Sequence, residues 1–522
     1  MVNIFQRRER GGGSKEIKNE NPFPLRTLRT LRLILRADFF APFRKIPQPQ
    51  PDLYTYQFTD TRGYQRRIHL RIEPDHAGVL FVDVTDVIHL NQTAARIAKA
   101  ALDGVPKKQT VAALKTEFGG AAAIRNDVEN FYHLIQHTKE ANGCPTCGFD
   151  FLEQRAVFST RARAPYKADV ALTYGCNNSC SHCYNATSHL GMASLPVEGW
   201  KQVLAVLKTR GVPHIIFTGG EATLHPNLPD LIAYADELGQ VTGLNTNGRR
   251  LSQLDYARDL KRAGLNHVQI TLASHQGRLH DEINGVSAFA QMIKGIENCQ
   301  IAGIHTITNT TIMQKNRNEI EQTIRFLYQL GIRTFAMNGM IYSGGGYCDP
   351  NAIPEEELPP ILIRIRDTAR ELGMKFLWYT PTEYCRMNPV ELEIGAKRCN
   401  AAEYSICIEP NGDVLPCQSF YVSAGNILRD SWEHIWNGEL FRSFRDREKD
   451  PRWAGLPEKC WECPDLPLCG GGCRIEREAR DGVETHHHGS CASKQPENSS
   501  FIPAASIQHI GKRAMGRGAG VR

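Results

Sequence analysis

LTYGCNNSCSHCYN, residues 172–185, sets three cysteines within eight positions and follows them with an aromatic residue. Cys176, Cys180 and Cys183 have the spacing C-x3-C-x2-C. Structural zinc and most iron–sulfur clusters take four protein ligands, so this loop is one thiolate short. Three thiolates on one short loop can instead hold three corners of a 4Fe–4S cube and leave the fourth iron open. An open metal position is what a catalytic site keeps for substrate or cofactor. A structural zinc site completed from elsewhere in the chain is the competing reading.

The flanking sequence supplies the scaffold. From Tyr166 to Pro381, strand-like runs alternate with helical ones: "KADVALTY", "PHIIFTGG", "VTGLNTNG", "HVQITLAS", "HTITNTTIM" and "TFAMNGM", with helices expected near 197–210, 228–238, 286–303 and 317–330. Repeated β/α units imply a parallel sheet, here of six strands, closed or partly closed as a TIM-like (β/α)6 barrel. Functional groups in such folds gather at the C-terminal ends of the strands. "LTYGC", "FTGGE" and "LNTNG" all fall there.

On these residues the chain resembles the radical SAM superfamily, whose signature is the "CNNSCSHCY" loop. The resemblance implies that S-adenosylmethionine binds the open iron through its amino and carboxylate groups and is cleaved to a 5′-deoxyadenosyl radical. It implies cofactor contacts at Gly219, Gly220 and Glu221 of "GGE", with Glu221 accepting from the methionine ammonium. Asn247 of "NTNG" lies at the family's fourth-strand motif, and Tyr184 lies where the family places an aromatic beside the adenine. The chain departs from the pattern at the fifth strand, where "TLASH" replaces "SLDG", and at "HDEING", where Asn284 stands for an arginine. Thr271, Ser274 and Asn284 are the positions these departures affect, and Ser274 is retained as a cofactor contact.

Beyond Cys385 the β/α rhythm gives way to cysteines. "CNAAEYSICIEPNGDVLPC" carries Cys399, Cys407 and Cys417 around a Pro-Asn-Gly-Asp hairpin turn. "CWECPDLPLCGGGC" carries Cys460, Cys463, Cys469 and Cys473, and Cys491 follows alone. The quartet spacing, C-x2-C-x5-C-x3-C, differs from the bacterial ferredoxin run, and a pair of zinc ribbons is the plainer alternative. The pattern resembles the SPASM domain, the cysteine-rich extension of peptide-modifying radical SAM enzymes. That resemblance implies two auxiliary 4Fe–4S clusters with interleaved ligands: Cys399, Cys407, Cys417 and Cys473 for one, and Cys460, Cys463, Cys469 and Cys491 for the other.

Upstream, from Arg67 to Lys139, strands at "IHLRI", "GVLFVDV" and "VIHL" precede three helices, a winged-helix-like α+β module without cysteine. It resembles the RiPP recognition element known from pyrroloquinoline-quinone biosynthesis. The resemblance implies that it binds the leader of a ribosomally made precursor peptide as an added strand. A winged-helix DNA binder is the alternative, but its second and third helices are not basic, so nucleic acid is disfavoured.

Composition bounds the rest. The chain has 522 residues, a formal charge of +6, 41% hydrophobic residues and 16 cysteines. No stretch approaches the roughly 20 apolar residues of a membrane span, and the N-terminus does not read as a secretory signal. Clustered Cys-x-x-Cys spacings in such a chain point to metal ligation in a reducing, cytoplasmic setting. The expected organisation is a basic arm (1–60), the recognition module (66–140), a linker with the Cys144/Cys147 knuckle (141–165), the barrel (166–381), the SPASM domain (385–495) and a disordered tail (496–522). The leucines at 25, 28, 31 and 35 of the arm have helical spacing. The function implied is radical-based modification of a precursor peptide, giving a thioether or carbon–carbon crosslink, with an electron donor such as flavodoxin or ferredoxin. A sulfatase-maturase-like oxidase and an iron–sulfur DNA-binding regulator are the alternatives.

Overall fold

The computed structural model describes residues 46–482, apart from 61–64, 84–85, 119–120, 139–157, 159, 186–188, 190 and 348. The arm helix, the Cys144/Cys147 knuckle, Cys491 and the basic tail lie outside the described residues.

The N-terminal module has one strand more than its sequence suggests. β1 (Asp52–Thr59), β2 (Gln65–Ile72), β3 (Gly78–Val82) and β4 (Asp86–Leu90) form an antiparallel sheet in that order. β1 falls within the stretch read as an arm. Its partner β2 explains it: all eight residues of β1 pair with β2, from Asp52 opposite Ile72 to Thr59 opposite Gln65. Three helices cover one face: α1 (Gln92–Leu102), α2 (Lys107–Phe118) and α3 (Ala121–Thr138). Asn91 caps α1 by accepting from the Ala94 N–H at 2.8 Å.

Strand alternation in β2 gives the module two uses of one sequence, "QRRIHLRI". Ile68, Leu70 and Ile72 pack with Leu80, Ile97 and Leu134 in the module's core. Arg67, His69 and Arg71 point the other way and dock on the turns that precede two barrel strands. Arg67 pairs with Asp236 at 2.7 Å, His69 Nε2 donates to the Gly239 carbonyl at 2.8 Å, and Arg71 donates to the Gly211 carbonyl at 3.3 Å. Burial lowers the His69 pKa to about 4, so the ring is neutral in this contact.

The barrel runs β5 (Lys167–Thr173), α4 (Val197–Thr209), β6 (His214–Gly219), α5 (Leu228–Glu237), β7 (Val241–Thr246), α6 (Leu254–Arg262) and β8 (His267–Thr271), then α7 (Gly277–Asn284), α8 (Phe289–Ile301), β9 (His305–Thr311), α9 (Ile320–Gln329), β10 (Thr334–Asn338), α10 (Pro359–Glu371) and β11 (Lys375–Trp378). Apolar runs such as Ile215–Phe217 are buried on both faces, as parallel strands require. Trp200, Phe217, Leu244, Ile270 and Phe335 belong to the common core.

Two features extend the six expected strands. β11 adds a seventh parallel strand, and the C-terminal region returns to the sheet as β12 (Ser405–Ile408) and β13 (Val414–Leu415). The order is β11-β10-β9-β8-β7-β6-β5-β12-β13, an open, partial barrel. β12 lies parallel to β5 with Cys407 opposite Asp169, so a thiol of the C-terminal region becomes part of the barrel wall. The β12–β13 turn is the Pro-Asn-Gly-Asp sequence, with Gly412 at φ +88°. Among the described residues, no helix is long and apolar enough to cross a membrane.

Candidate metal centres

The three-cysteine loop leaves the C-terminal end of β5 and is held by the ends of its neighbours. β6 approaches it most closely. A Cβ on Gly219 would lie 2.1 Å from the Thr173 carbonyl, and one on Gly220 would lie 2.5 Å from those of Tyr174 and Gly175. Only glycine fits at Gly219, whose φ is +129°. The contact is completed by Gly220 N–H to Thr173 O (2.7 Å) and Glu221 N–H to Gly175 O (2.9 Å).

Glu221 is held by four hydrogen bonds within the protein. Its Oε1 accepts from Thr223 N (3.0 Å), Thr223 Oγ1 (2.6 Å) and Thr246 Oγ1 (2.7 Å), and its Oε2 accepts from Asn247 N (2.8 Å). The buried carboxylate thus ties β6 to β7. Asn247 in turn donates from Nδ2 to Asn177 of the cysteine loop at 2.6 Å. Ser274 is also committed within the protein: its hydroxyl donates to Glu319 (3.3 Å) and accepts from Gln276 N (3.0 Å).

Asn284 contacts the loop itself. Its Oδ1 accepts from the Cys180 thiol at 3.2 Å and from Asn178 Nδ2 at 3.3 Å, and its backbone carbonyl accepts from Ser179 N at 3.0 Å. Gly285 ends α7 at φ +67°, and a Cβ there would strike the Ser179 carbonyl at 2.3 Å.

Two further supports escape sequence reading. Arg249 donates to the Asn177 carbonyl and to Asn178 Oδ1. "SGGGY", just past β10, packs its glycines on the loop's carbonyls, with Gly345 N–H to Cys183 O at 2.7 Å. Three consecutive glycines past a strand's C-terminal end were the available signal.

Tyr184 links this loop to the C-terminal region. Its hydroxyl donates to Gln418 at 3.3 Å, and its backbone carbonyl accepts from Tyr421 at 3.3 Å. Burial raises its pKa, and the nearby Cys183 and Cys407 sulfurs add to the effect.

The remaining thiols divide into two sets. Burial raises the pKa of Cys407, Cys417 and Cys473; Cys399 adds to the rise at Cys417 and at Cys473, and Cys417 adds to it at Cys407 and at Cys473. Cys460, Cys463 and Cys469 line a separate cavity. "CGGGC" makes the division possible: Gly470, Gly471 and Gly472 all have positive φ, which turns the chain between Cys469 and Cys473. Gly470 packs on Arg398, whose guanidinium pairs with Glu403 through both carboxylate oxygens at 2.8 and 2.9 Å in the interior.

These donor sets suit iron–sulfur clusters. Burial, with Cys183 and Cys176 adding, pushes the Cys180 thiol up to about 12. Burial, with Cys399 adding, does the same to Cys417. Several buried thiolates therefore need compensating positive charge, which ligated metal provides. Among the described residues, no three His, Cys, Asp or Glu side chains converge tightly enough for a single ion.

Comparison with known proteins agrees with this arrangement. Residues 170–327 match the radical SAM superfamily, and residues 399–464 match the SPASM iron–sulfur cluster-binding domain. The PqqA peptide cyclase of Xanthomonas campestris is 29% identical over 342 residues, 61% of this chain and 84% of the relative. The subtilosin biosynthesis protein AlbA of Bacillus subtilis is 28% identical over 314 residues, 59% of this chain and 67% of the relative. Streptococcus suis SuiB bound to S-adenosylmethionine aligns with a TM-score of 0.59 at 19% identity, covering 78% of this chain and 95% of SuiB.

Proposed function

We infer that this radical SAM enzyme, with its SPASM extension, modifies a ribosomally made precursor peptide by hydrogen abstraction and leaves a thioether or carbon–carbon crosslink. The observation that carries the reading is a sheet-edge strand, in the same chain as the three-cysteine loop, that has one strand neighbour among the described residues. Among the described residues, β4 pairs only with β3. Its outer edge is the place for an added peptide strand to pair through backbone donors and acceptors. The relatives support the substrate class, since one is a peptide cyclase, another serves bacteriocin biosynthesis, and SuiB has been determined with its precursor peptide SuiA.

The enzyme uses 4Fe–4S clusters and S-adenosylmethionine. Held by the three-cysteine loop, one cluster together with S-adenosylmethionine would supply the radical chemistry that removes a substrate hydrogen. Cys176, Cys180 and Cys183 would hold the first cluster. Asn247, Arg249, Asn284 and Gly345 fix the loop so that the three sulfurs keep one geometry. Gly219 and Gly220 leave backbone, rather than side chain, beside the loop, which is where a cofactor can come close. Cys399, Cys407, Cys417 and Cys473 would hold an auxiliary cluster at the barrel wall, next to Tyr184. A small one-electron donor such as flavodoxin or ferredoxin and a cytoplasmic location complete the proposal.

Proline at Val87 or at Ile88 tests the leader site. Adjacent strand residues direct their N–H groups to opposite edges, so one variant loses an outward donor and the other a β3 partner. The outward variant should lose affinity for the leader peptide and keep cofactor cleavage. Unchanged leader affinity in both would refute the strand-addition reading.

A further inference from the structure

The docking face of the recognition module ends on the strand that carries Cys407. Arg71 of β2 is buried and makes most of that face. Its Nε pairs with Glu73 at 2.9 Å, and its Nη1 donates to the carbonyls of Ala164, Pro165 and Gly211, each at 3.3 Å. Gly211 is shaped for the contact: its φ is +77°, and a Cβ there would lie 2.4 Å from Arg71 Cδ. The guanidinium carbon stands 5.5 Å from the Phe81 ring of β3 and 5.2 Å from the Tyr166 ring, within cation–π range of both.

Tyr166 passes the contact on. Its ring meets Phe81 edge-on at 5.1 Å and Tyr404 at 5.0 Å. The Tyr404 carbonyl accepts from Tyr166 N (2.9 Å) and Lys167 N (3.1 Å), and the Tyr404 hydroxyl donates to the Thr160 carbonyl at 3.0 Å. Tyr166 immediately precedes β5, and Tyr404 immediately precedes β12. The stack of rings therefore sets where the two strands begin, with Ser405 opposite Lys167 and Cys407 opposite Asp169. The two strands are not equally anchored. β5 has the whole of β6 along its other side, whereas β12 has, among the described residues, the two-residue β13. A disturbance at the stack falls first on β12, and so on the Cys407 sulfur.

We propose that Arg71 and Tyr166 are positioning residues for an auxiliary cluster: docked through them, the recognition module fixes β12 and with it Cys407, a step that rests on reading Cys407 as a ligand of that cluster. The module then has two tasks, one at the β4 edge and one at the base of the barrel wall.

The test uses full-length protein, reconstituted anaerobically and read by iron content, by EPR in the reduced state and by S-adenosylmethionine cleavage without peptide. Cys407→Ala first identifies the signal of its own cluster. Undiminished iron with an unchanged spectrum in Cys407→Ala would sink the ligand reading, whatever the stack does. Given that signal, Tyr166→Leu and Arg71→Met should each shift its g values, while cleavage stays at the wild-type rate because the three-cysteine loop keeps β5 and β6. Tyr166→Phe should match wild type, since the Tyr166 hydroxyl is buried without a hydrogen-bond partner among the described residues and the ring alone is used. A wild-type auxiliary signal in either Tyr166→Leu or Arg71→Met, an equal shift in Tyr166→Phe, or loss of cleavage in step with the auxiliary signal overturns the assignment. Should Tyr166→Leu or Arg71→Met fail to fold, Phe81→Leu removes only the module's side of the stack. A shifted auxiliary signal in Phe81→Leu then supports the positioning role, and an unshifted one refutes it.

Discussion

Replacing Gly219 by alanine perturbs the cofactor site through a single methyl group. The residue sits at φ +129°, a region open almost only to glycine, and forcing an L-residue there costs about 1–3 kcal/mol. The new Cβ would also lie 2.1 Å from the Thr173 carbonyl, which is backbone and has no rotamer to yield. That carbonyl accepts the Gly220 N–H, and it begins the loop that carries Cys176. Overpacking of this kind adds about 1–3 kcal/mol, so the total is roughly 2–6 kcal/mol against a typical total stability of about 5–15. The strain falls where β5 and β6 meet the loop, so the first loss should be the three-cysteine cluster. Reconstituted Gly219→Ala should hold about eight irons where wild type holds about twelve, and should not cleave S-adenosylmethionine. Gly303→Ala is the control: φ is +72°, but its Cβ meets nothing within 4 Å. It should pay the backbone strain and keep all its iron. A Gly219→Ala protein with full iron and normal cleavage would refute the claim that the glycine is required by this close approach.

Asn284→Ala removes the acceptor for Asn178 Nδ2 beside Cys180, which costs about 1–3 kcal/mol and loosens the loop. Iron should leave this variant faster than wild type under a chelator, and equal rates would count against a positioning role. Acid should destabilise the protein through its buried neutral histidines. Burial lowers both His69 and His267 from 6.5 to about 4, so between those values the unfolded chain binds protons that the folded chain refuses. Stability is therefore present above pH 6.5 and is lost as pH falls toward 4, by up to about 3 kcal/mol per histidine. His69→Gln keeps a donor for Gly239, and melting curves across this window should show a shallower fall than wild type; an unchanged slope would contradict the assignment. Cys463→Ala should still cleave the cofactor but yield no crosslinked peptide, because the first cluster keeps all its ligands. Product in normal yield would exclude an essential role for the second auxiliary cluster.

What the sequence made legible were features whose information is local. The cysteine loop, the strand-end glycines and the late quartet each declare themselves within a few residues, and the alternation of strands and helices places them at one end of a sheet. What it hid depends on distant partners. β1 reads as arm because "DLYTYQFT" follows a Pro-rich run and gains its pairing only from β2. β12 is four residues long and joins the barrel through β5, more than two hundred positions earlier in the sequence. Arg249 is one of two arginines after a motif, and nothing in its neighbourhood indicates that it grips Asn177. Glu221 shows the converse: the motif is obvious, yet the carboxylate's bonds to Thr223, Thr246 and Asn247 follow from where β7 ends.

The most direct test of the central claim is the mass of a peptide. The enzyme would be coexpressed with a short reading frame adjacent to its gene, and the peptide product examined by high-resolution mass spectrometry and fragmentation. The expected product is lighter by two hydrogens per crosslink, with fragmentation silenced between the joined residues. The change should vanish in the Cys176→Ala/Cys180→Ala/Cys183→Ala protein. A peptide of unchanged mass that binds the enzyme while the enzyme cleaves S-adenosylmethionine would contradict the account.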